Sequence, residues 1–409
     1  MSLKMKSGRN WGRLGMKSNW KTCQLDELVT FTSGGTPSKK KAEYWNGSIP
    51  WISAKTMKDE HISTSDLMIS EEGLKNGSRL APQGSILFLI RGSGLFNGIP
   101  ICLVDKPVAF NQDVKCINSI SEIENKYVFY WLLSQASTLS AIVGVTTIGA
   151  GKFDMDVIKR LEISYPEKEV RNEIIRIADA ISDKIRLNTA INENLEQQAQ
   201  AIFSNLFPKC MSNGIAMSNI IDVRDGTHDS PKAKKEGYSL ITSKHLQAYS
   251  VNKKEANLIS YEDFNKINER SKVEYGDILI SMIGTVGIIS FISDKSIDFA
   301  IKNVGLFRTS QSAKLRFYVL NYLKTNEVAN YIEQHLAGST QKYISLTELR
   351  NLPIRIPSDE DLQEYNELIS PIYGQIITLS KENQWLTELR DTLLPKLMNG
   401  EIDVSEVKI

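Results

Sequence analysis

The sequence has few cysteines and no long apolar run. Its four cysteines, Cys23, Cys102, Cys116 and Cys210, form neither a CxxC pair nor the spacing of a metal site, which indicates reduced thiols. No apolar run approaches the ~18 residues typical of a transmembrane helix, and the amino terminus lacks the hydrophobic core of a signal peptide. We therefore expect a cytoplasmic protein without membrane association.

Recognisable catalytic motifs are also missing. The sequence has no GxxxxGK[ST] phosphate loop, no HExxH metal motif and no GxSxG nucleophile turn. Gly92-Ser93-Gly94 lacks a following amphipathic helix, so it predicts a turn at a strand end. The histidines (His61, His228, His245 and His335) are scattered, and we expect most of them at the surface or in loops. No catalytic residue, metal ligand or cofactor is predicted, which favours a binding or scaffolding role.

The charge is balanced overall but unevenly distributed. Forty-nine lysines and arginines face 48 acidic residues, a net charge of +1, which argues against a uniformly cationic nucleic-acid-binding protein. The first 21 residues carry only basic charges, whereas residues 359–396 are strongly acidic. Any binding to nucleic acid must therefore depend on local clusters of basic residues.

The most informative pattern is an internal duplication. GSILFLIRG from Gly84 resembles GDILISMIG from Gly276, and IPWISAKTM from Ile49 resembles YSLITSKHL from Tyr238. Further along, GKF at 151–153 is matched with QKY at 341–343. An offset near 190 residues is too long for a solenoid repeat. It predicts two copies of one domain.

Changes in hydrophobic periodicity and in glycine and proline content along the chain predict six segments. They are a flexible basic tail (1–19), a first mixed domain (20–166), a central helix (167–207), a second mixed domain (208–357), a carboxyl-terminal helix (358–400) and a short tail (401–409). In the first domain, ILFLI and VAF predict strands, and residues 124–134 predict a helix. The expected fold is α/β (α+β): two pseudo-symmetric domains alternating with two long helices.

Each long helix carries a narrow apolar stripe at spacings of three and four. The first stripe is Ile174, Ile177, Ile181, Ile185, Asn188, Asn192, Leu195, Ala199, Ile202 and Leu206; the second is Tyr365, Leu368, Ile372, Ile376, Leu379, Asn383, Leu386, Arg390, Leu393 and Leu397. Such a stripe is typical of a coiled coil. Helices of ~40 residues span roughly 60 Å, and we expect the two to pack against each other in antiparallel orientation.

Asn192 and Asn383 occupy equivalent positions near the middle of the stripes. One interpretation is that a partly hydrated seam merely tolerates them. The other is that they meet in the antiparallel pair, satisfy each other and thereby fix the register of the coiled coil.

Each domain begins with a polar loop that contains a Gly-Thr turn, hydroxyl groups and lysines: TSGGTPSKKKAEYW from Thr32 and RDGTHDSPKAKK from Arg224. Either loop alone could be an ordinary turn before a solvated basic stretch, but matching positions in both copies favour DNA contact. The candidate DNA-binding residues, including others from matched segments, are Ser33, Gly34, Gly35, Thr36, Lys39, Lys40, Lys41, Tyr44, Lys55, Arg91 and Lys152, and then Arg224, Asp225, Gly226, Thr227, His228, Ser230, Lys232, Lys244, His245 and Lys342.

Three groups of segments carry a family resemblance: SGGTPS with YWNGSIPWISAKTM, RDGTHDSP with GYSLITSKHL, and LTELRDTLLPKLMNGEI (386–402), which is the most specific. On these, nearly the whole chain resembles the specificity subunits of type I restriction-modification systems. The first helix departs from the pattern, because Gln198 and Ala199 stand where the second has Leu389 and Arg390.

The resemblance implies a non-catalytic subunit of a DNA-cleaving and adenine-methylating complex. Each domain would recognise one half of a bipartite, asymmetric target in double-stranded DNA. The helices would set the unread spacer and dock two methyltransferase subunits, which carry the S-adenosylmethionine site, while motor-nuclease subunits join through the complex. Two alternatives remain: a coiled-coil adaptor without sequence-specific DNA binding, and an enzyme built from scattered carboxylates.

Overall fold

The computed structural model describes residues 19–96, 98–147, 149–254 and 256–407. The predicted basic tail (1–19) lies outside them except for Asn19. The chain forms two compact units: unit 1 combines residues 1–185 with 385–409, and unit 2 comprises residues 186–384. Among the described residues, no helix has the length and apolarity needed to cross a membrane.

The mixed domain of unit 1 precedes the first long helix. Its strands are β1 Lys21–Gln24, β2 Val29–Ser33, β3 Ile49–Ile52, β4 His61–Ile62, β5 Met68–Ile69, β6 Arg79–Ala81, β7 Ile86–Leu89, β8 Arg91–Gly92, β9 Ile101–Val104, β10 Val108–Phe110, β11 Val114–Ser119, β12 Gly144–Val145, β13 Gly151–Lys152 and β14 Glu162–Tyr165. Its helices are α1 Leu25–Leu28, α2 Glu71–Gly77, α3 Asn125–Ser134, α4 Ala136–Ala141 and α5 Met155–Lys159, followed by the long helix α6 Lys168–Leu206. Strands β7 and β10 and helix α3 confirm the predictions from ILFLI, VAF and residues 124–134.

Two principal sheets form this domain. One has the strand order β2-β11-β7-β9-β4 and the other β5-β3-β10-β6. Strands β3 and β10 run parallel, with Trp51 opposite Ala109 and Ile52 opposite Phe110. All four residues of β7 and all three of β10 are buried, because both faces of these strands are covered by other elements.

The mixed domain of unit 2 repeats this topology. Its strands are β15 Ile215–Ala216, β16 Val223–Asp225, β17 Tyr238–Ile241, β18 Leu246–Gln247, β19 Ser250–Val251, β20 Asn257–Ile259, β21 Ile278–Ser281, β22 Ile289–Phe291, β23 Phe299–Ile301, β24 Val304–Phe307 and β25 Pro353–Ile354, and its helices are α7 Tyr261–Ser271, α8 Arg316–Leu323, α9 Asn326–Gln334 and α10 Leu346–Asn351. The sheet orders are β16-β24-β21-β22 and β20-β17-β23, with β17 and β23 parallel. The two domains are therefore pseudo-symmetric copies, as predicted.

The second long helix, α11 Asp359–Met398, follows this domain. Within unit 2, α6 and α11 pack in antiparallel orientation. Asn188 Nδ2 donates to Asn383 Oδ1 at 2.9 Å, and further along α6 the ring of Phe203 packs against that of Tyr365, with the ring centroids 6.1 Å apart. A higher residue number in one helix meets a lower one in the other, which confirms the predicted antiparallel pair.

The register differs from the predicted pairing of Asn192 with Asn383. Asn192 Nδ2 donates to Ser380 Oγ at 3.1 Å, while Asn383 accepts from Asn188 and donates to Thr189 Oγ1 at 3.1 Å. Both asparagines make interhelical hydrogen bonds, but the partner of Asn383 lies one helical turn before Asn192. The stripe also shifts locally, since Leu368 is exposed and Ile369 is fully buried.

The end of α11 completes the core of unit 1. Leu394, Leu397 and Met398 are buried in one cluster with Ile174 and Ile177 of α6 and with the first domain. Arg390 donates to Glu60 of the same unit. In the segment predicted as a tail (401–409), the partly buried side chains of Ile402, Val404 and Val407 pack against this cluster.

Candidate nucleic-acid interface

In unit 1, three loops meet where the parallel strands β3 and β10 end. The Asn111 amide donates to the Ile52 carbonyl at 2.9 Å, and the Gly35 amide donates to the Phe110 carbonyl at 2.9 Å. The carboxyl ends of neighbouring parallel strands lie at one edge of a sheet. That edge therefore gathers the loop after β2, the Ser53–Thr56 turn and residues 111–113.

Unit 2 builds the same edge at the ends of β17 and β23. The Lys302 amide donates to the Ile241 carbonyl at 2.8 Å, and the Thr227 amide donates to the Ile301 carbonyl at 3.0 Å. By these bonds Thr227 corresponds to Gly35, and Lys302 to Asn111. The sequence suggested matching the Gly-Thr pair of one loop directly with that of the other. That alignment differs by one residue from the equivalence defined by these hydrogen bonds.

The loop glycines permit close backbone packing inside each domain. A Cβ on Gly34 would lie 2.2 Å from the Phe110 carbonyl oxygen, and one on Gly226 would lie 2.2 Å from the Ile301 carbonyl oxygen. A Cβ on Gly35 would lie 2.4 Å from the Gly77 oxygen. These glycines therefore allow the loop backbone to pack closely against the neighbouring backbone at this edge.

Each edge carries a pair of polar side chains at equivalent positions. In unit 1, Thr36 Oγ1 donates to Gln112 Oε1 at 2.6 Å. In unit 2, His228 Nδ1 lies 2.7 Å from Asn303 Oδ1. Gln112 and Asn303 are each the second residue after the parallel strand, β10 or β23. Neither is among the DNA-binding residues predicted from the sequence, because neither belongs to a recognisable motif, and a match by sequence alone aligns Gln112 with Lys302 instead of Asn303.

His228 is held from both sides, although its side chain is 64% exposed. Its Nε2 lies 2.9 Å from Asp225 Oδ2, while Nδ1 faces Asn303. Both neighbours of the imidazole ring are side-chain oxygens. Asp225 is itself buried and accepts from Arg270 Nη2. The buried carboxylate of Asp225 therefore links Arg270 to His228 within the domain.

In unit 1, an exposed pair of cations lies close to this edge. Arg91 and Lys152 are directly opposite each other in the antiparallel strands β8 and β13. Lys55 is near them, since a Cβ on Gly92 would lie 3.7 Å from the Cβ of Ala54. Like charges directly opposite each other destabilise a sheet, whereas a bound phosphate would stabilise this arrangement.

The corresponding place in unit 2 is uncharged. An antiparallel bridge joins Ile283 to Tyr343, and it corresponds to Arg91 with Lys152. The predicted match of Lys152 with Lys342 is therefore also one residue out of register; the Lys342 side chain is exposed next to this bridge. The two edges share one backbone but differ in the groups they present.

Several predicted residues are exposed, and others have partners within their own loops. Lys39, Lys40, Lys232, Lys244 and Ser230 are exposed. Lys41 Nζ donates at 2.9 Å to the hydroxyl of Tyr44, a contact that raises the pKa of Lys41; Tyr44 itself is buried. Ser33 accepts from Lys115, and Ser230 accepts from Lys302.

Arg224, the middle residue of β16, is paired with an acidic side chain. Its Nε donates to Asp222 Oδ1 at 2.7 Å, and Arg308 Nη1 approaches Asp222 Oδ2 at 3.4 Å. Partial burial would raise the pKa of Asp222, but the hydrogen bonds and charges of the two arginines lower it below its ordinary value. Arg224 thus has a structural partner instead of a free guanidinium.

His245, predicted to contact DNA, has a buried side chain in this structure. Its side chain is only 2% exposed, and its Nδ1 accepts from the backbone amide of Thr242 at 2.9 Å, which caps the 3₁₀ turn Ser243–His245. Lys244, beside it, is exposed. Nothing in the local sequence distinguishes an inward from an outward side chain in so short a turn.

The described residues contain no group of three or more His, Cys, Asp or Glu side chains placed to hold a metal ion. What the two edges offer is hydrogen-bonding side chains and nearby cations. Such an arrangement can bind the phosphates and base edges of nucleic acid.

Comparisons with known proteins relate the chain to one group. A family model described as "Type I restriction modification DNA specificity domain" matches residues 17–197 and 218–388. The MjaIX type I restriction enzyme specificity subunit of Methanocaldococcus jannaschii is 25% identical over 95% of both chains. The EcoR124I/EcoR124II specificity subunit of Escherichia coli is 32% identical over 44% of each chain. The crystal structure of a type I restriction-modification S subunit from M. genitalium is 15% identical, with a TM-score of 0.49 over 94% of this chain and 98% of that chain.

Proposed function

Because this chain belongs to the type I restriction-modification DNA specificity family, we propose that it selects the DNA sequence on which a restriction-modification complex acts. Each mixed domain recognises one half-site of a bipartite target in double-stranded DNA. The chain performs no chemistry itself; partner subunits methylate adenine and cleave DNA.

One observation carries this proposal: the same loop edge is built twice on one backbone, but with different side chains. Thr36 in unit 1 corresponds to His228 in unit 2, and the cations Arg91 and Lys152 correspond to two uncharged residues. Equivalent scaffolds dock on DNA in equivalent ways, while different side chains prefer different bases. The two half-sites are therefore expected to differ in sequence.

The helices α6 and α11 support a second part of the proposal. Both run through residues of unit 1 and of unit 2, so they are suited to fixing the length of the unread spacer between the half-sites. Their pseudo-symmetry provides two similar faces, which fits the docking of two copies of one methyltransferase subunit. Motor-nuclease subunits would join through that complex.

A genome-wide map of adenine methylation, made with and without this gene, tests the proposal. We expect one split motif to disappear on deletion. Exchanging residues 20–165 for those of a relative with another target should change only one half of the motif. An unchanged map, together with the absence of sequence-dependent, salt-sensitive DNA binding by the complex, would favour the adaptor function.

A further inference from the structure

We infer that Gln112 and Asn303 each contact a DNA base, one in each half-site, and that Thr36 and His228 are their positioning residues. This inference rests on the proposed function and identifies the base-recognising group at each of the two edges. It concerns residues outside the recognisable motifs.

The first argument is positional. Asn111 and Lys302 occupy the same place after a parallel strand, because the amide of each donates to the carbonyl of Ile52 or Ile241. The next residue in each copy, Gln112 or Asn303, carries a primary amide. Its neighbours differ between the copies: Asn111 against Lys302, and Thr36 against His228. The amide is the chemical group that the two edges share.

The second argument is the orientation of the amides. In each copy the side-chain carbonyl oxygen faces a polar neighbour, Thr36 at 2.6 Å or His228 at 2.7 Å. A carbonyl oxygen has two lone pairs and an amide nitrogen has two N–H groups. One lone pair therefore stays available, and the N–H groups point away from the neighbour. Gln112 Nε2 makes only a long contact, 3.4 Å, to Asp113 Oδ2.

An amide held in this way matches adenine. Asn and Gln recognise adenine by donating to N7 and accepting from the N6 amino group in the major groove. Fixing the amide before DNA arrives reduces the conformational entropy lost on binding. We therefore expect adenine at the contacted position of each half-site, in one strand or the other.

The third argument is the backbone of Asn303. Its φ is +53°, in the left-handed region, and the only other described non-glycine residue with positive φ is Asn213. Glycine adopts this conformation without strain, so the benefit of asparagine here lies in its side chain. Strained residues of this kind concentrate at functional sites.

The fourth argument is the charge around each amide. In unit 1, Lys55, Arg91 and Lys152 are exposed on the neighbouring turn and strands. In unit 2, the exposed Lys244 follows β17, the strand beside β23, and Lys302 immediately precedes Asn303. Cations that bind phosphates next to a polar side chain fix the register in which that side chain meets the bases.

The test uses the full chain expressed with its methyltransferase subunits in a host free of adenine methylation. The variants are Gln112→Ala in unit 1 and Asn303→Gly in unit 2. Glycine preserves the left-handed backbone and deletes only the amide. The matched control is Gln311→Ala, an exposed amide beyond the opposite end of β24. The readouts are the methylated motif and the affinity for duplexes that vary at each position.

We expect each variant to lose discrimination at one position of one half-site, by about 5-fold to about 100-fold, which is the range for one bidentate base contact. The other half-site and the Gln311→Ala motif should stay unchanged. Thr36→Val and His228→Leu should weaken base discrimination at the same two positions. Discrimination at the other positions of the target should stay unchanged.

Three other results have distinct meanings. If both amide variants fold, as judged by thermal melting, and keep the complete wild-type motif, the inference is wrong while the proposed function stands. If discrimination changes equally at every position, the amides contact only the backbone, and the inference is again wrong. If the wild-type complex methylates no split motif, the proposed function itself fails.

Discussion

The pair of Arg91 and Lys152 shows at the scale of single residues how binding chemistry departs from what folding alone would favour. Two exposed cations face each other across β8 and β13, where opposite charges would stabilise the sheet by up to about 1 kcal/mol. The equivalent Ile283 and Tyr343 avoid this repulsion. The proposed contact with DNA phosphate would offset the repulsion between these two cations.

Replacing Lys152 with alanine should separate stability from binding. We expect the free energy of unfolding to stay the same or rise by a few tenths of a kcal/mol, because the repulsion is relieved. The DNA affinity of the complex should fall, and the slope of log affinity against log salt should decrease by about one, as for one lost phosphate contact. Titrations at several salt concentrations measure both quantities.

Lys106→Ala is the matched control, because this exposed lysine precedes β10 and so lies at the opposite edge from Asn111. Its salt slope should equal that of the wild type. An unchanged slope for Lys152→Ala as well would show that the cation pair binds no phosphate.

Gly34→Ala should destabilise unit 1 by roughly 1–3 kcal/mol, the range for overpacking a filled site, because the new Cβ would lie 2.2 Å from the Phe110 carbonyl oxygen. Tryptophan fluorescence isolates this unit, since residues 186–384 contain no tryptophan. The control, Gly374→Ala in unit 2, adds a methyl group where no atom outside the local helix backbone lies within 4 Å, and its stability is followed by circular dichroism. It should stabilise α11 by about 1 kcal/mol. Equal stability of Gly34→Ala and wild type would contradict the packing argument.

The sequence located the loops of the candidate site but not its chemistry. The Gly-Thr turns do lie at both edges, yet Gly34 and Gly226 face backbone atoms, and Asp225 and His245 face inward. Only the register of strand hydrogen bonds identifies Gln112 with Asn303, because that register shifts the two copies by one residue from the best letter match. Hydrogen bonds between strands that are distant in the chain cannot be predicted from the residues around each position.

At the scale of elements, the helical seam depends on buried amides. Asn188 is fully buried and donates to both Glu382 and Asn383, at 2.7 and 2.9 Å. The spacing of apolar residues predicted both helices closely, because a period of 3.6 is a local property. The register of one helix on the other depends on side chains more than 190 positions apart, and the predicted pairing missed it by one turn.

Asn383→Leu should lower the free energy of unfolding of unit 2 by about 1–3 kcal/mol, because it leaves the buried Asn188 amide with an apolar neighbour. The double variant Asn188→Leu/Asn383→Leu should recover much of that loss, since replacing both partners removes the unsatisfied group. Urea denaturation of the single and double variants, followed by circular dichroism, measures the coupling. Strictly additive effects would show that the two amides do not interact energetically.

The strand pair β16 and β24 should respond to acid through Asp222. Partial burial would raise its pKa, but Arg224 and Arg308 outweigh that effect and lower it below the ordinary value of 3.8. The ionised carboxylate therefore stabilises the fold above pH 3.8, and this contribution is lost as the pH falls through the folded-state pKa. Asp222→Asn should be less stable than wild type at pH ~6, with the difference shrinking towards pH ~3. Parallel stability curves would rule out this linkage.

At the scale of the whole molecule, the compact units do not follow the order of the sequence segments. Unit 1 combines residues 1–185, which include the first part of α6, with residues 385–409, and unit 2 comprises residues 186–384. The duplication predicted two domains and two helices, but not that each unit would use part of both helices. The segments that form one unit are far apart in the chain. The sequence pattern therefore predicts where each segment begins and ends, but not which segments pack together.

A chain ending at Gln384 should lose the cooperative unfolding of unit 1 while keeping that of unit 2. The truncation removes Leu394, Leu397 and Met398 from the core that also contains Ile174 and Ile177, and buried leucine or methionine side chains typically contribute 2–5 kcal/mol each. The remaining tryptophans report on unit 1, and hydrogen exchange of residues 186–384 reports on unit 2. A native tryptophan transition in the truncated chain would show that unit 1 is stable without the end of α11.

This arrangement has a consequence for biosynthesis. Domains usually fold in the order in which they leave the ribosome. Here unit 1 begins before unit 2 but is completed after it, because unit 1 includes residues 385–409, whereas unit 2 is complete in sequence once residue 384 has emerged. Until residues 385–409 have emerged, Ile174 and Ile177 of α6 lack the side chains of Leu394, Leu397 and Met398 that share their core. We therefore expect the nascent chain to expose apolar side chains of α6 during that interval.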